Sequence, residues 1–267
     1  GLGVIEIQSL QNTVVKDCVN LALKKYRQQQ GLFIVEGWKL IDEVLDSGWQ
    51  IKDIFIEKTA LANLASVKIN QLQQACENFY KINEEILKKI SDVQTAQGIL
   101  ATVYMPKPQL DLEKLASQNG LILVLETIQD PGNLGTLIRT AVATGVQAIV
   151  LVENCADLYA PKVVRGSMGG IFRVPIIGMS RLEVLERLKA SNYKILVTSL
   201  EAAQNVYEIE LPVRMALVLG NEANGVSEVF LQASDLKIVL PQLGKIESLN
   251  VAIAGSVLMY EYLRQNK

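Results

Sequence analysis

The chain has 267 residues, 49% of them hydrophobic and 20% charged, with a formal net charge of −2. That length and apolar content suit one large or two ordinary domains with sizeable cores, and exclude a disordered or fibrous polypeptide. Histidine is absent, which excludes Ser-His-Asp and Cys-His nucleophilic catalysis and the usual zinc hydrolase sites, so no metal is expected.

The first residues, GLGVIEIQSL, lack the basic segment and long apolar core of a secretory signal, and no apolar run reaches the roughly 18 residues of a membrane span. A soluble, cytoplasmic protein is the expectation. Asn12-Thr13 predicts the cap of a helix running to about Gln30. That segment carries Lys16, Lys24, Lys25 and Arg27 against one acid, Asp17. It reads either as a solvated helix face or as a contact face for RNA phosphates. GLFIVEG (31–37) predicts a strand, followed by a helix to about Asp46. IKDIFIE (51–57), NFYKIN (78–83) and GILATVYM (98–105) predict further strands. Strands and helices mixed in this way predict a small α/β domain over 1–105. PKPQLDLEKLASQNG, rich in proline and polar residues, marks a linker at 106–119, with room for a helical turn.

From residue 120 to 267 the pattern becomes regular. LILVLE, AIVLVE, RVPIIG, KILVTSL, MALVLG and LKIVLP are near-continuous apolar runs, most of them separated by helical patterns. Runs without alternation imply strands buried on both faces, hence a parallel sheet between helical layers. Ligands of such sheets bind beyond the carboxyl ends of the strands. Cys18, Cys76 and Cys155 are too far apart for a zinc knuckle or a disulfide framework and read as buried apolar residues.

Three loops at strand ends stand out. After LILVLE comes ETIQDPGNLGTLIRTAVATG. Its stripe of Leu134, Leu137, Ile138, Ala141 and Val142 predicts a helix starting near Asn133, with Asn133 as N-cap. Arg139 lies off the stripe, one turn beyond Gly135. It reads either as a ligand group for phosphate or ribose or as a surface ion-pair partner. LVLGNEANGVSEVF places Gly220 directly after a strand, Glu222 two residues on, and Gly225 at the expected start of a helix. Its glycine spacing matches neither a dinucleotide fingerprint nor a Walker A loop. QLGKIESLN (242–250) joins the last strand to an all-round apolar helix, Val251 to Leu263, that Ser248 or Asn250 could cap.

Taken together, N-x-G-x-x-x-R (Asn133, Gly135, Arg139), L-G-N-E-x-x-G-V (Leu219–Val226) and L-P-x-x-G-x-x-x-S-L-N-V-A (Leu240–Ala252) resemble the three signature motifs of the SpoU family. These are RNA 2′-O-ribose methyltransferases of the SPOUT superfamily. APKVVRGSMGGIFRVP (160–175) is similar as well. The first half, with KKYRQQQGLFIVEGWKLIDEVL and QGILATVYM, resembles an RNA-substrate-binding domain of the ribosomal-protein L30e type. The resemblance implies a C-terminal trefoil knot that binds S-adenosyl-L-methionine in a bent form. It also implies a homodimer packed through the last helix. Carried over by motif, Gly220, Leu240 and Leu249 contact the cofactor, with Leu219, Asn221 and Gly225 in the same loops. Arg139, Asn133, Glu222, Ser248 and Asn250 form the catalytic set. Lys16, Lys24, Lys25, Arg27, Lys162 and Arg165, with Arg173, offer local positive charge for RNA on a near-neutral chain.

The activity this implies is methyl transfer from S-adenosylmethionine to a ribose 2′-hydroxyl of RNA, with 23S ribosomal RNA favoured by the extra N-terminal domain. The alternatives are a tRNA 2′-O-methyltransferase and a non-catalytic RNA-binding assembly factor on the same scaffold. A nucleotide-binding oxidoreductase is disfavoured by the missing glycine fingerprint.

Overall fold

The computed structural model describes residues 3–107 and 109–267; Gly1, Leu2 and Pro108, the last within the expected linker, lie outside the described residues. The chain forms two compact units. One is Gly1–Lys107 with Asp157–Phe172, and the other is Pro108–Ala156 with Arg173–Lys267.

The first unit runs β1 (Val4–Ile7), α1 (Thr13–Asn20), α2 (Lys24–Gln30), β2 (Leu32–Glu36), α3 (Trp38–Ser47), β3 (Ile51–Glu57), α4 (Lys58–Ala62), α5 (Ser66–Ala75), β4 (Cys76–Ile82), α6 (Glu84–Ile90) and β5 (Ile99–Tyr104). Its five strands lie in the order β1-β4-β3-β5-β2. β1, β4 and β3 are parallel, while β5 runs antiparallel to both β3 and β2. The strand β1 has no counterpart among the predicted elements. It is short, largely exposed and sits at the sheet edge, and four residues carry too little pattern to mark a strand.

One long helix to Gln30 is not what forms. The chain breaks into α1 and α2 around the buried Leu21, where successive i→i+3 bonds tighten the backbone. The break frees carbonyls that need donors. Arg27 supplies them, its Nη1 donating to Leu21 O and Ala22 O at 2.9 Å each. Its other branch pairs with Asp157 at 2.6 Å. Phe33 of β2 packs at a tilt against Tyr159 and stacks on Phe172, with ring centroids 4.7 and 6.3 Å apart. Each such aromatic pair adds about 1 kcal/mol beyond its burial. The ion pair and the aromatic cluster together explain why Asp157–Phe172, although it falls within residues 120–267, is packed with the first unit.

The second part of the chain continues α7 (Leu112–Leu115), β6 (Gly120–Glu126), α8 (Pro131–Ala143), β7 (Ala148–Val152), α9 (Pro161–Gly166, part of the first unit), β8 (Ile176–Gly178), α10 (Arg181–Ala190), β9 (Lys194–Thr198), β10 (Gln204–Asn205), β11 (Arg214–Leu219), α11 (Glu228–Ala233), β12 (Leu236–Val239) and α12 (Val251–Gln265). The seven strands of the second unit lie in the order β10-β12-β9-β11-β6-β7-β8, every pairing parallel. The central strands are covered on both sides: Ile122, Leu123, Val124, Ala216, Leu217 and Val218 are fully buried. That double burial is why their sequences show no alternation.

Two boundaries differ from expectation. α8 begins at Pro131, and Asp130 is its N-cap, accepting from Asn133 N at 2.8 Å. Proline suits the first helical position because its missing N–H is not needed there. Asn133 therefore lies inside the first turn with its side chain released from capping. Gly225 does not open a helix; α11 starts at Glu228. α12 buries Ala252, Gly255, Leu258 and Met259 on one side and leaves Ile253, Val257 and Tyr260 exposed on another. Among the described residues no helix is long and apolar enough to cross a membrane.

Candidate active site at the carboxyl ends of the parallel strands

In a parallel sheet all strands end on one side, so the segments leaving β6, β11 and β12 converge there. Each follows a buried strand, which fixes its starting point. The segment after β6 turns through Thr127, a non-glycine residue at φ 56°, before entering α8. The segment after β11 opens at Gly220, where an added Cβ would lie 2.4 Å from the carbonyl of Gly225 and 2.5 Å from Val226 N. The chain's own backbone thus requires glycine at 220, through close approach. Asn221 braces the same turn. Its Oδ1 accepts from Ala223 N at 2.7 Å, and its Nδ2 donates to Thr127 O at 3.1 Å, linking the segments after β11 and β6.

Three of the residues singled out, one from each motif, meet: Asn133, Glu222 and Asn250. Asn133 Nδ2 donates to Glu222 Oε1 at 3.2 Å, and Asn250 Nδ2 donates to Asn133 Oδ1 at 3.0 Å. Glu222 Oε1 also accepts from Val251 N at 3.1 Å. Asn250 caps α12, its Oδ1 accepting from Ala252 N and Ile253 N at 2.9 and 3.1 Å. One carboxylate therefore joins the first turns of α8 and α12, where the helix dipoles favour negative charge. Arg139 is exposed and, among the described residues, no hydrogen bond or ion pair holds its guanidinium. Ser248 is exposed and has no side-chain bond among the described residues, so the cap falls to Asn250. Leu240 and Leu249 are half-buried, presenting apolar surface beside the loop. Leu219 is core: its side chain is 1% exposed and packs where Gly255 leaves room, since a Cβ at 255 would lie 2.5 Å from it. Any ligand contact of Leu219 is confined to its backbone.

Two further residues shape this edge and carried no motif. Asp130 caps α8, a role that an acid before proline signals. Glu126, buried at the end of β6, accepts from Ser227 N and Ser227 Oγ at 2.7 Å each and from Arg181 Nε at 2.6 Å. That bond raises the Arg181 guanidinium above its ordinary value. Glu126 thereby ties the end of β6 to the starts of α10 and α11. An acid closing an otherwise apolar run was its only trace in the sequence.

The basic residues differ in exposure and in what holds them. Lys16, Lys24 and Lys25 are exposed in the first unit, as is Lys162 of α9. Arg165 is half-buried and pairs with Asp92 at 2.6 Å. Arg27 is 3% exposed and committed to Asp157 and two carbonyls, which corrects its assignment to an RNA-contact face. Arg173 is exposed in the second unit. Among the described residues no cluster of three ligating side chains could hold a metal ion.

Residues 120–260 match the model of the SpoU rRNA methylase family, and residues 12–101 match an MRM3-like substrate binding domain. The chain is 34% identical over 256 residues to the 23S rRNA (guanosine(2553)-2′-O)-methyltransferase RlmP of Bacillus subtilis (strain 168), covering 96% of this chain and 98% of that protein. It superposes on an AdoMet-bound rRNA methyltransferase from Sinorhizobium meliloti with a TM-score of 0.88 and 28% identity, covering 98% of each chain. A crystal structure described as an RNA 2′-O ribose methyltransferase aligns with a TM-score of 0.83 and 30% identity, over 98% of this chain and 99% of that one. With its parallel sheet, its three strand-end loops and this likeness along nearly its whole length, the chain belongs to the SpoU methylase family.

Proposed function

We propose that this protein is an S-adenosylmethionine-dependent methyltransferase acting on a ribose 2′-hydroxyl of RNA, with 23S ribosomal RNA as substrate. The observation that carries this reading is the meeting of Asn133, Glu222 and Asn250, from three separate segments, at the carboxyl ends of β6, β11 and β12. The substrate-binding domain matched over residues 12–101 and the 23S rRNA specificity of the B. subtilis relative support the choice of RNA.

The site fits the cofactor in kind: the turn after β11 is exposed over residues 222–225, and the half-buried Leu240 and Leu249 offer apolar surface suited to a purine. Gly220, Leu240 and Leu249 would hold the cofactor, with Leu219, Asn221 and Gly225 shaping its loop. When bound, S-adenosylmethionine supplies a methyl group already activated by a sulfonium charge. The protein's task is then alignment and charge management. Arg139, unpaired among the described residues, grips the RNA phosphate and stabilises negative charge developing on the 2′-oxygen. A guanidinium stays protonated, so it acts through charge and not as a base. Glu222 and Asn133 orient the ribose, Asn250 fixes Asn133, and the exposed Ser248 completes the ribose contacts.

The finer architecture belongs to the same proposal. β12, which lies between β10 and β9, leads through residues 240–250 into α12. α12 reaches Leu137 of α8 and Leu219 of β11, past the intervening β9. Such a return supports a trefoil knot, a path that chains ordinarily avoid. The first unit's mixed sheet supports an L30e-like substrate-binding domain, with residues 106–119 leading to the methyltransferase domain over 120–267. The exposed Ile253, Val257 and Tyr260 support a homodimer through α12.

The test is calorimetry with S-adenosylmethionine and NAD, then mapping of ribose methylation on total RNA from cells with and without the protein. Binding of the former, and one ribosomal nucleotide losing its methyl group, are expected. Binding of NAD alone would overturn the proposal.

A further inference from the structure

We propose that the first unit holds a pocket for one unstacked nucleotide of the RNA, other than the nucleotide that is methylated. This rests on the reading of the chain as an RNA methyltransferase. A cavity of ≈ 310 Å³ opens where β2 passes into α3, walled by the segment 93–97 and by the end of α9. At its base is Gly37, at φ +97°, a conformation few other residues adopt. A Cβ there would lie 2.9 Å from Gln97 Oε1, so glycine makes room for the Gln97 amide. That amide is oriented: its Oε1 accepts from Trp38 N at 3.0 Å, and the Gln97 carbonyl accepts from Trp38 Nε1 at 3.1 Å. With the oxygen committed to the helix start, the Nε2 donors have no protein partner among the described residues.

The rim carries both signs of charge, Glu36 lining the cavity together with Lys39 and Arg165. Lys39 is exposed and has no ion pair among the described residues. Arg165 gives Nη1 to Asp92 at 2.6 Å, leaving Nε and Nη2 without a protein acceptor among the described residues. Glu36 anchors the wall by accepting from Ser91 Oγ and from Asp92 N. The third feature is Met168, a non-glycine residue at φ 53° that is 44% exposed. A backbone conformation of that kind is unfavourable for methionine, and such strain concentrates at binding sites. Here it turns a large polarisable side chain to the cavity, beside Leu40 and Val93.

Apolar walls, an oriented amide with free donors, the exposed Lys39 and the remaining donors of the Asp92-paired Arg165 match one ligand chemistry. A nucleobase lies between the apolar side chains, its edge meets the amide, and its phosphate meets Lys39 or Arg165. A bare anion would not need the apolar walls, and an apolar ligand would leave the amide unpaired.

The test uses the full chain and 4-thiouridine-substituted ribosomal RNA from cells lacking the protein. Photocrosslinking to the wild type should yield nucleotide adducts on peptides containing Gln97 or Met168. Gln97→Ala and Met168→Gly should each raise the KM for RNA by about 10-fold, with kcat and S-adenosylmethionine affinity unchanged. Met168→Gly also relieves the strained backbone, so its melting temperature should hold or rise and misfolding cannot explain the loss. Crosslinks found only outside the pocket, or wild-type KM values in both variants, would overturn the pocket while leaving the methyltransferase reading intact. A wild type that crosslinks through the pocket but transfers no methyl group would overturn that reading and retain the pocket.

Discussion

Arg139 and Gly220 mark two ways in which one residue determines a site. Arg139 is exposed and unpaired among the described residues, so its removal should disturb little except the charge it offers. Arg139→Ala is expected to keep S-adenosylmethionine affinity within about twofold in calorimetry while lowering single-turnover methyl transfer by about 10²–10³-fold. Gly220 acts through shape. With a Cβ 2.4 Å from the opposing carbonyl, Gly220→Ala must displace the 220–226 turn. A loss of about 2 kcal/mol in denaturant unfolding and at least a tenfold loss of cofactor affinity are expected. Legibility differed between neighbouring residues. Glu222 and Asn250 could be singled out because polar residues between apolar runs need a reason to be there. Asn133 was read from its local pattern as a cap, a role that Asp130 performs, and entered the candidate site only through the motif resemblance. Its bonds to Glu222 and Asn250 span 89 and 117 positions, and no local pattern encodes them.

At the scale of elements, α12 carries the clearest predictions. The stripe of Ile253, Val257 and Tyr260, spaced i, i+4, i+7, is exposed at 59%, 37% and 52%. Tyr260→Glu would place charge on the proposed two-fold contact, and sedimentation should show a dimer turning into a monomer at micromolar concentration. Near the end of the helix, Arg264 and Gln265 hydrogen-bond the buried Glu261. The bond from Arg264 holds the carboxyl below its ordinary range, outweighing burial, which pushes the other way. A carboxyl depressed on folding contributes stability above its unfolded pKa, and that contribution is lost as pH falls through the folded value. Thermal melts between about pH 3 and 7 should therefore show a steeper acid-side loss for the wild type than for Glu261→Gln. The broken helix at Leu21 is the element that local pattern could not supply. Residues 13–30 have continuous helical character, yet burying Leu21 and engaging Arg27 with Asp157, 130 positions away, outweigh it.

Across the whole molecule, a net charge of −2 means that RNA affinity cannot come from overall attraction and must be local. Replacing Lys24 and Lys25 together by alanine should weaken RNA binding at low salt. The salt dependence should become shallower by about 1.4 log units per decade if both meet phosphates of a single strand. Arg27→Met should act differently, destabilising the first unit by about 3 kcal/mol because Asp157 would be left unpaired in a largely buried setting. The sequence by itself determined the parallel sheet, six of its seven strands and the polar loops after three of them, but not the two-residue β10, which has no apolar run. These follow from unalternating apolar runs and from the few residue types that such loops require. Only the tertiary structure decided that Asp157–Phe172 packs with the first unit, that Arg27 is structural and that Glu222 joins two helix starts. Those outcomes depend on contacts between distant segments, whose energies exceed local preference and leave no periodic trace in the chain.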